Sequence, residues 1–254
     1  MAAPSVHVAT SSLPLVRRVM PRGMFVREVL VNLSRPRALA IKVAMPLVLT
    51  IPLVAGHAPT FWAAMLLTVL AAMIGTVGAA VTVSRARDSG LLTRVALTPR
   101  PAWRTVAEWV LGSALIDMLQ LTPSLIAIFL LAPVTVVSAV VILASIASVL
   151  LLANVLGSVI SSIGGGPGEV LLDVMVVLAP LLFLGGLFTG IPHEGWRWIA
   201  AHVDPFAYLH AAFIDALGGT ATFDRIAIVA AALVTAAGAV VALATCGGAV
   251  LRRR

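Results

Sequence analysis

Residues 43–84 read VAMPLVLTIPLVAGHAPTFWAAMLLTVLAAMIGTVGAAVTVS, a run of 42 positions without Asp, Glu, Lys or Arg. A helix needs about 20 apolar residues to cross the hydrocarbon core of a bilayer. The run therefore holds two crossings, with Gly56-His57-Ala58-Pro59 as the turn between them. Residues 118–168 are 51 more uncharged positions, turning at Ala132-Pro133. Residues 174–193 and 226–251 add uncharged runs of 20 and 26. Six helices follow, over about 39–56, 60–83, 105–131, 134–160, 170–190 and 225–250. The fold class is all-α, a polytopic membrane protein.

Composition agrees. Of 254 residues, 61% are hydrophobic and 11% charged, and the mean hydropathy is +1.10. Soluble domains average about 45–50% apolar and about 25% charged. A soluble chain of this length cannot bury so much apolar surface, which excludes a soluble globular enzyme. The same figures exclude a disordered chain. The single cysteine, Cys246, excludes an internal disulfide framework and a Cys-based zinc site.

The formal charge of +7 would suggest nucleic acid in a soluble chain, but here it reads as topology. Fifteen of the 17 Lys and Arg residues fall on one face of a six-span chain. They lie before or at the start of span one, between spans two and three, and at Arg252, Arg253 and Arg254. Only Arg197 and Arg225 fall on the other face. The positive-inside rule makes both termini cytoplasmic and leaves no call for a nucleic-acid partner. The first twenty residues lack the apolar core and small-residue site of a cleaved signal peptide. Span one is expected to serve as an uncleaved signal.

The expected organisation is a cytoplasmic tail over 1–21, an amphipathic helix over 22–37, a six-span domain over 38–250 and a basic tail over 251–254. In the second segment Phe25, Val26, Val29, Leu30 and Leu33 share one helical face, and Arg22, Arg27, Glu28 and Asn32 fall mostly on the other. That suits a helix lying on the cytoplasmic leaflet, and equally a generic basic anchor. The loop over 84–104 is long for a helix–helix connection. In it Leu91, Leu92, Val95 and Leu97 stand beside Arg87, Arg94 and Arg100. A short helix here would offer a small apolar face ringed by positive charge to a cytoplasmic partner; the alternative is a solvated charged loop. The outer segment over 191–224 carries Trp196, Trp198, Phe206, Tyr208 and Phe213, residue types that favour the membrane boundary. It reads as two short helices in, or dipping into, the outer interface.

Chemical motifs are few. There is no P-loop, and the only lysine is Lys42. The stretch Gly164-Gly165-Gly166-Pro167-Gly168 reads as a turn. A metal site from His193, Glu194, His202 and Asp204 is conceivable, but interfacial hydration is the ordinary explanation. The Gly75/Ala79 and Gly186/Gly190 pairs, four apart within spans two and five, would permit close helix approach. Asp117, near the middle of span three, is the strongest functional candidate, because ionisable groups inside a span are costly. Gln120 shares its face, and Asn154 in span four is a possible partner. Asp117 reads either as a substrate contact or gate, or as an inter-helix hydrogen bond that orients the bundle.

The order of these features resembles the membrane subunit of ABC-2-type ATP-binding-cassette exporters, the class that includes bacterial drug and antibiotic permeases. The family's coupling loop runs roughly R-x-x-G-[ST]-L-x-x-L-x-x-[ST]-P. Arg87-Asp88-Ser89-Gly90-Leu91-Leu92-Thr93-Arg94-Val95-Ala96-Leu97-Thr98-Pro99 follows it, with Leu91 at the Ser/Thr position and a shift of about one residue. Pro46 and the stretches Leu184-Gly185-Gly186-Leu187-Phe188, Ile191-Pro192 and Pro205-Phe206-Ala207-Tyr208 extend the likeness over roughly residues 20–250.

The resemblance implies a permease that pairs with a like or related copy in the bacterial plasma membrane and sits on separately encoded ATPases. ATP and Mg would belong to those partners, so no cofactor is expected in this chain. Arg87, Asp88, Gly90, Leu91, Leu92, Arg94, Leu97 and Pro99 would form the coupling loop, and Phe25, Arg27, Val29 and Leu33 the connecting helix. Thr68, Met73, Asp117, Gln120, Phe183 and Phe188 are pathway candidates. A largely apolar lining would suit amphiphilic drugs or lipids better than ions. The alternative is a stand-alone ion-coupled carrier using Asp117.

Orientation is directly testable. In a Cys246→Ala background, Arg94→Cys is expected to react with a membrane-impermeant maleimide only after cells are opened, and Arg197→Cys in intact cells. The reverse pattern inverts the topology.

Overall fold

The computed structural model describes residues 23–163, 165–191 and 194–252. The 1–21 tail, Arg22, Gly164, Pro192, His193, Arg253 and Arg254 lie outside the described residues. Within them the chain is all-helical: α1 (Met24–Leu33), α2 (Pro36–Ala55), α3 (Thr60–Asp88), α4 (Leu91–Ala96), α5 (Ala102–Leu131), α6 (Val136–Ser161), α7 (Pro167–Leu184), α8 (Trp196–Val203), α9 (Pro205–Ala216) and α10 (Arg225–Arg252). Six of these, α2, α3, α5, α6, α7 and α10, are long and apolar enough to cross a membrane. The chain is a polytopic membrane protein.

Two spans differ from their expected limits. The second does not stop at the charges: α3 runs on through Arg85 and Arg87 to Asp88, so its last turn extends beyond the apolar run. The fifth ends at Leu184 rather than 190. Gly186 and Gly190 take positive φ of 75° and 73°, a left-handed conformation that only glycine adopts without strain. They are turn residues beyond the helix, not a packing face within it.

Between helices in lipid there is no hydrophobic drive, so close packing must supply the cohesion. The α3–α6 pair supplies it through bare backbone. A β-carbon on Gly75 would lie 2.7 Å from the Ala153 β-carbon. One on Gly157 would overlap the Thr76 carbonyl oxygen and sit 3.1 Å from the Ala80 nitrogen. The remaining spans pack around this pair. α7 lays Val170, Val174, Leu178 and Leu182, one residue per turn, inward, and α10 packs on α6 and α5. α2 seats Pro46, Thr50 and Val54 and rests on α5.

One end of the bundle is closed by α9, whose Phe206, Leu209 and Phe213 are buried against α3, α6 and α10. Asp204 caps it by accepting from the Phe206 amide at 2.9 Å. Its C-terminal end is bolted down by Asp215, which pairs with Arg225 at 3.0 Å and accepts from Ser138 at 2.8 Å. This knot ties α9, α10 and α6 together. By contrast α8 leaves Trp196 67% exposed, with Trp198 and Ile199 beside it.

The close approach of α3 and α6 sets the stability of the bundle. Gly157→Ala is expected to destabilise the detergent-purified protein by about 1–3 kcal/mol or more, as overpacking does. Gly238→Ala, where an added β-carbon meets nothing within 4 Å, should hold or raise stability in the same thermal assay, as Gly→Ala does in a helix with room for the methyl group. Equal behaviour of the two would show that the α3–α6 contact is not limiting.

Candidate functional site

The end of the bundle opposite α9 is built from the end of α3, the short helix α4, the start of α5 and α1. Gly90 makes it possible. It adopts φ +69°, ψ 12°, the left-handed turn that ends α3 and starts α4 in a new direction. An added β-carbon would meet nothing within 4 Å, so the glycine serves conformation and not packing.

The loop residues divide by face. Leu92 is only 5% exposed and packs with Val83, Ala86, Val106 and Trp109. Leu91 and Val95 are half-buried against the same cluster. Asp88, Arg94 and Pro99 are exposed, and Leu97 is 82% exposed. The sequence pattern offers Leu91, Leu92, Val95 and Leu97 together to a partner. Three of the four instead hold α4 to its own bundle, because a six-residue helix needs tertiary packing to persist. Arg87 points back into the protein and donates from Nη2 to the Ser161 carbonyl oxygen, tying α3 to the end of α6.

In α1 the inward face carries a carboxylate. Met24 and Glu28 are buried, while Phe25 and Leu33 are exposed and Arg27 and Val29 half-buried. Glu28 fits because Gly112 of α5 has no side chain: a β-carbon there would lie 3.2 Å from that of Glu28. Burial raises the Glu28 carboxyl above the ordinary carboxylate range, against the pull of Arg27, of hydrogen bonds from Asn32 and Trp109, and of Lys42. The apolar stripe thus faces outward, where lipid can take it.

Glu108 joins the two parts. Its Oε2 accepts from the Met24 amide at 3.0 Å, satisfying a free N–H of the first turn of α1. The same carboxylate faces Arg100 and Arg104, each at 3.7 Å. Sequence reading placed Glu108 only near a span end. The i, i+4 spacing from Arg104 was its one visible signal. Its contact with α1 spans 84 positions and has no local signature.

The pathway candidates do not converge. Asp117 and Gln120 lie in the interior, and the Asn154 Nδ2 donates to Asp117 Oδ2 at 2.7 Å. Gln120 Nε2 approaches the other oxygen at 3.4 Å. This is an α5–α6 hydrogen-bond node, the arrangement that orients helices in a bundle. Thr68 is fully enclosed and donates to its own helix at Ala64. Met73 is half-buried on the α2 side of α3. Phe183 and Phe188 are exposed, with the Arg197 guanidinium 5.0 Å from the Phe183 ring centroid. Among the described residues no cluster of three metal-ligating side chains occurs.

Comparison with protein families gives one finding. Residues 44–246 match the family described as "ABC-2 family transporter protein". No curated protein gives a significant match, and no solved structure does. The matched stretch includes α3 to α9 whole and leaves out α1.

Removal of the Glu108 carboxylate should release α1 while the spans stay folded. Glu108→Ala is expected to speed amide exchange over residues 24–33 about five-fold, the equivalent of about 1 kcal/mol for a lost helix cap. Glu108→Gln, which keeps an acceptor, should change it less. Unchanged exchange in Glu108→Ala would remove this contact from the account.

Proposed function

Given that the chain belongs to the ABC-2 transporter family, we propose that it is the permease of an exporter driven by a separate ATPase subunit. The cargo is a hydrophobic or amphiphilic molecule, such as a drug, antibiotic or lipid-like compound, taken from the cytoplasm or the inner leaflet. The observation that carries this reading is the cytoplasmic surface. A short helix presents Arg94 and Leu97 outward, and Leu92 and Gly90 fix its position. A partner pressing on that helix would move the bundle as a packed unit, since packed helices switch between arrangements and do not stretch.

Pairing of two copies, alike or related, would use the apolar membrane faces. α7 leaves Leu172, Val176 and Phe183 exposed, and α2 leaves Ile41, Met45 and Val48 exposed. Such apolar faces suit either lipid or a second permease. The lack of a P-loop in the sequence supports a reading in which ATP chemistry belongs to a partner. Asp117 is engaged by Asn154, which favours an orienting role over ion coupling.

Arg94→Glu combined with Leu97→Asp leaves the Leu92 anchor untouched. This double variant should insert and purify normally yet lose at least about ten-fold of the ATPase co-isolated in mild detergent, a change equal to about 1.4 kcal/mol. Full retention of the ATPase would overturn the assignment of this face. Proton- or sodium-driven flux by the chain alone, abolished by Asp117→Asn, would overturn the ATP-driven reading itself.

A further inference from the structure

A crevice separates α2 from α3. Because α2 rests on α5 through Pro46, Thr50 and Val54, its other side is left apart from α3. Near the coupling helix the crevice opens into a pocket of about 340 Å³ that α1, α2, α3 and α5 share. Arg27, Arg35, Lys42 and Arg85 line it, together with Glu28 and Trp109. Four cations thus meet one carboxylate, which Asn32 and Trp109 already hydrogen-bond. Lys42 donates to Asn32 at 3.3 Å. Arg35 and Arg85 make no ion pair among the described residues.

Farther along the same two helices lies an apolar groove of about 430 Å³. Met45, Leu49 and Leu53 form one wall, and Leu66, Leu70 and Met73 the other. Along α2 the lining is continuous: Leu39, Lys42, Met45 and Leu49 recur at helical spacing. From Lys42 to Leu53 the helix rises about 16 Å, close to half of the ~30 Å hydrocarbon core and so to one leaflet.

We propose that this crevice holds an anionic glycerophospholipid of the leaflet next to the coupling helix, its phosphate among Arg35, Lys42 and Arg85 and one acyl chain in the α2–α3 groove. A soluble anion would use the basic pocket but not the groove. A neutral lipid would use the groove but leave the cations uncompensated. Only a lipid carrying net negative charge fits both, and basic pockets between membrane helices are known headgroup sites. The bound lipid would bridge α1, α2 and α3 beside Leu91, which also lines the pocket. It would therefore stiffen the joint between connecting helix and coupling helix. The site stands on its own geometry and does not rest on the transport reading.

The test is native mass spectrometry of the full-length protein equilibrated with equal phosphatidylglycerol and phosphatidylcholine. The wild type should retain phosphatidylglycerol preferentially. The triple variant Arg35→Gln, Lys42→Gln and Arg85→Gln should lose this preference, by about five-fold for each charge removed. Arg197→Gln, on the other side of the bundle, should keep it. Met45→Trp, which fills the groove without changing a charge, should also lower phosphatidylglycerol retention. Millimolar inorganic phosphate should not displace the lipid. No preference in the wild type, a preference unchanged in the triple variant, or retention unaffected by Met45→Trp would each overturn the proposal. Complete displacement by inorganic phosphate would assign the pocket to a soluble anion instead. If the triple variant does not fold, the groove variant and the phosphate competition still decide the matter on otherwise native protein.

Discussion

The bare backbone of Gly157 against the Thr76 carbonyl is the contact on which the bundle depends. In water a helix pair is held by expelling solvent from apolar faces. In hydrocarbon that gain vanishes, since lipid tails are as apolar as leucine. What remains is dispersion over close surfaces and the hydrogen bonds that close approach permits. Glycine at 75 and 157 brings α3 and α6 near enough for the first, and the second joins α6 to α5, where Asn154, one turn from Gly157, donates to Asp117. A polar bond of this kind is tolerable in the membrane because each partner meets the other rather than lipid.

From this close-packed pair the structure extends to the α4 end of the bundle by a few links. α3 carries its charged end beyond the apolar run, and Arg87 fastens that end to the last turn of α6 at Ser161. Gly90 redirects the chain, and Leu92 pins the short helix that follows. Glu108 then joins the base of α5 to α1. α1 thus rests on α5 and α4 on α3 and α10, with Leu92, Val106 and Trp109 in one apolar cluster between them. On the proposed transport reading, force applied to α4 would reach α1 through side chains that are buried or paired.

How much of this was legible in the sequence follows from the range of each interaction. The six spans were, because uncharged runs of bilayer length are local and have few other uses. The turn at Gly90 was not, since 84–104 reads as one loop in which Gly90 stands out only through the family's loop pattern. The partner of Asp117 was legible as a type, since a buried carboxylate needs a hydrogen-bonding neighbour and Asn154 is polar within an uncharged run. Gly186 and Gly190 were misread because glycine spacing looks alike in a packing face and in successive turns, and only φ separates them. The side of α1 that meets the bundle was not legible, for a deeper reason. Amphipathicity predicts burial of the apolar stripe in water, but beside a membrane lipid is a competing apolar phase. Glu28 could turn inward onto Gly112 while Phe25 and Leu33 turned out. The Glu108–Met24 bond, 84 positions apart, left no trace at all.

The central claim is that α1 and α4 are one mechanical unit. Pulsed electron paramagnetic resonance can test it on the intact complex, in a Cys246→Ala background, with spin labels at Leu33 and Thr93 of a single permease copy diluted among unlabelled ones. Both positions are exposed, and neither belongs to the Arg94–Leu97 face proposed to meet the ATPase. The expected result is one narrow distance distribution that is the same without nucleotide and with ATP trapped on the partner. Separate motion, seen as a shifted or split Leu33–Thr93 distance when ATP is trapped, would contradict it.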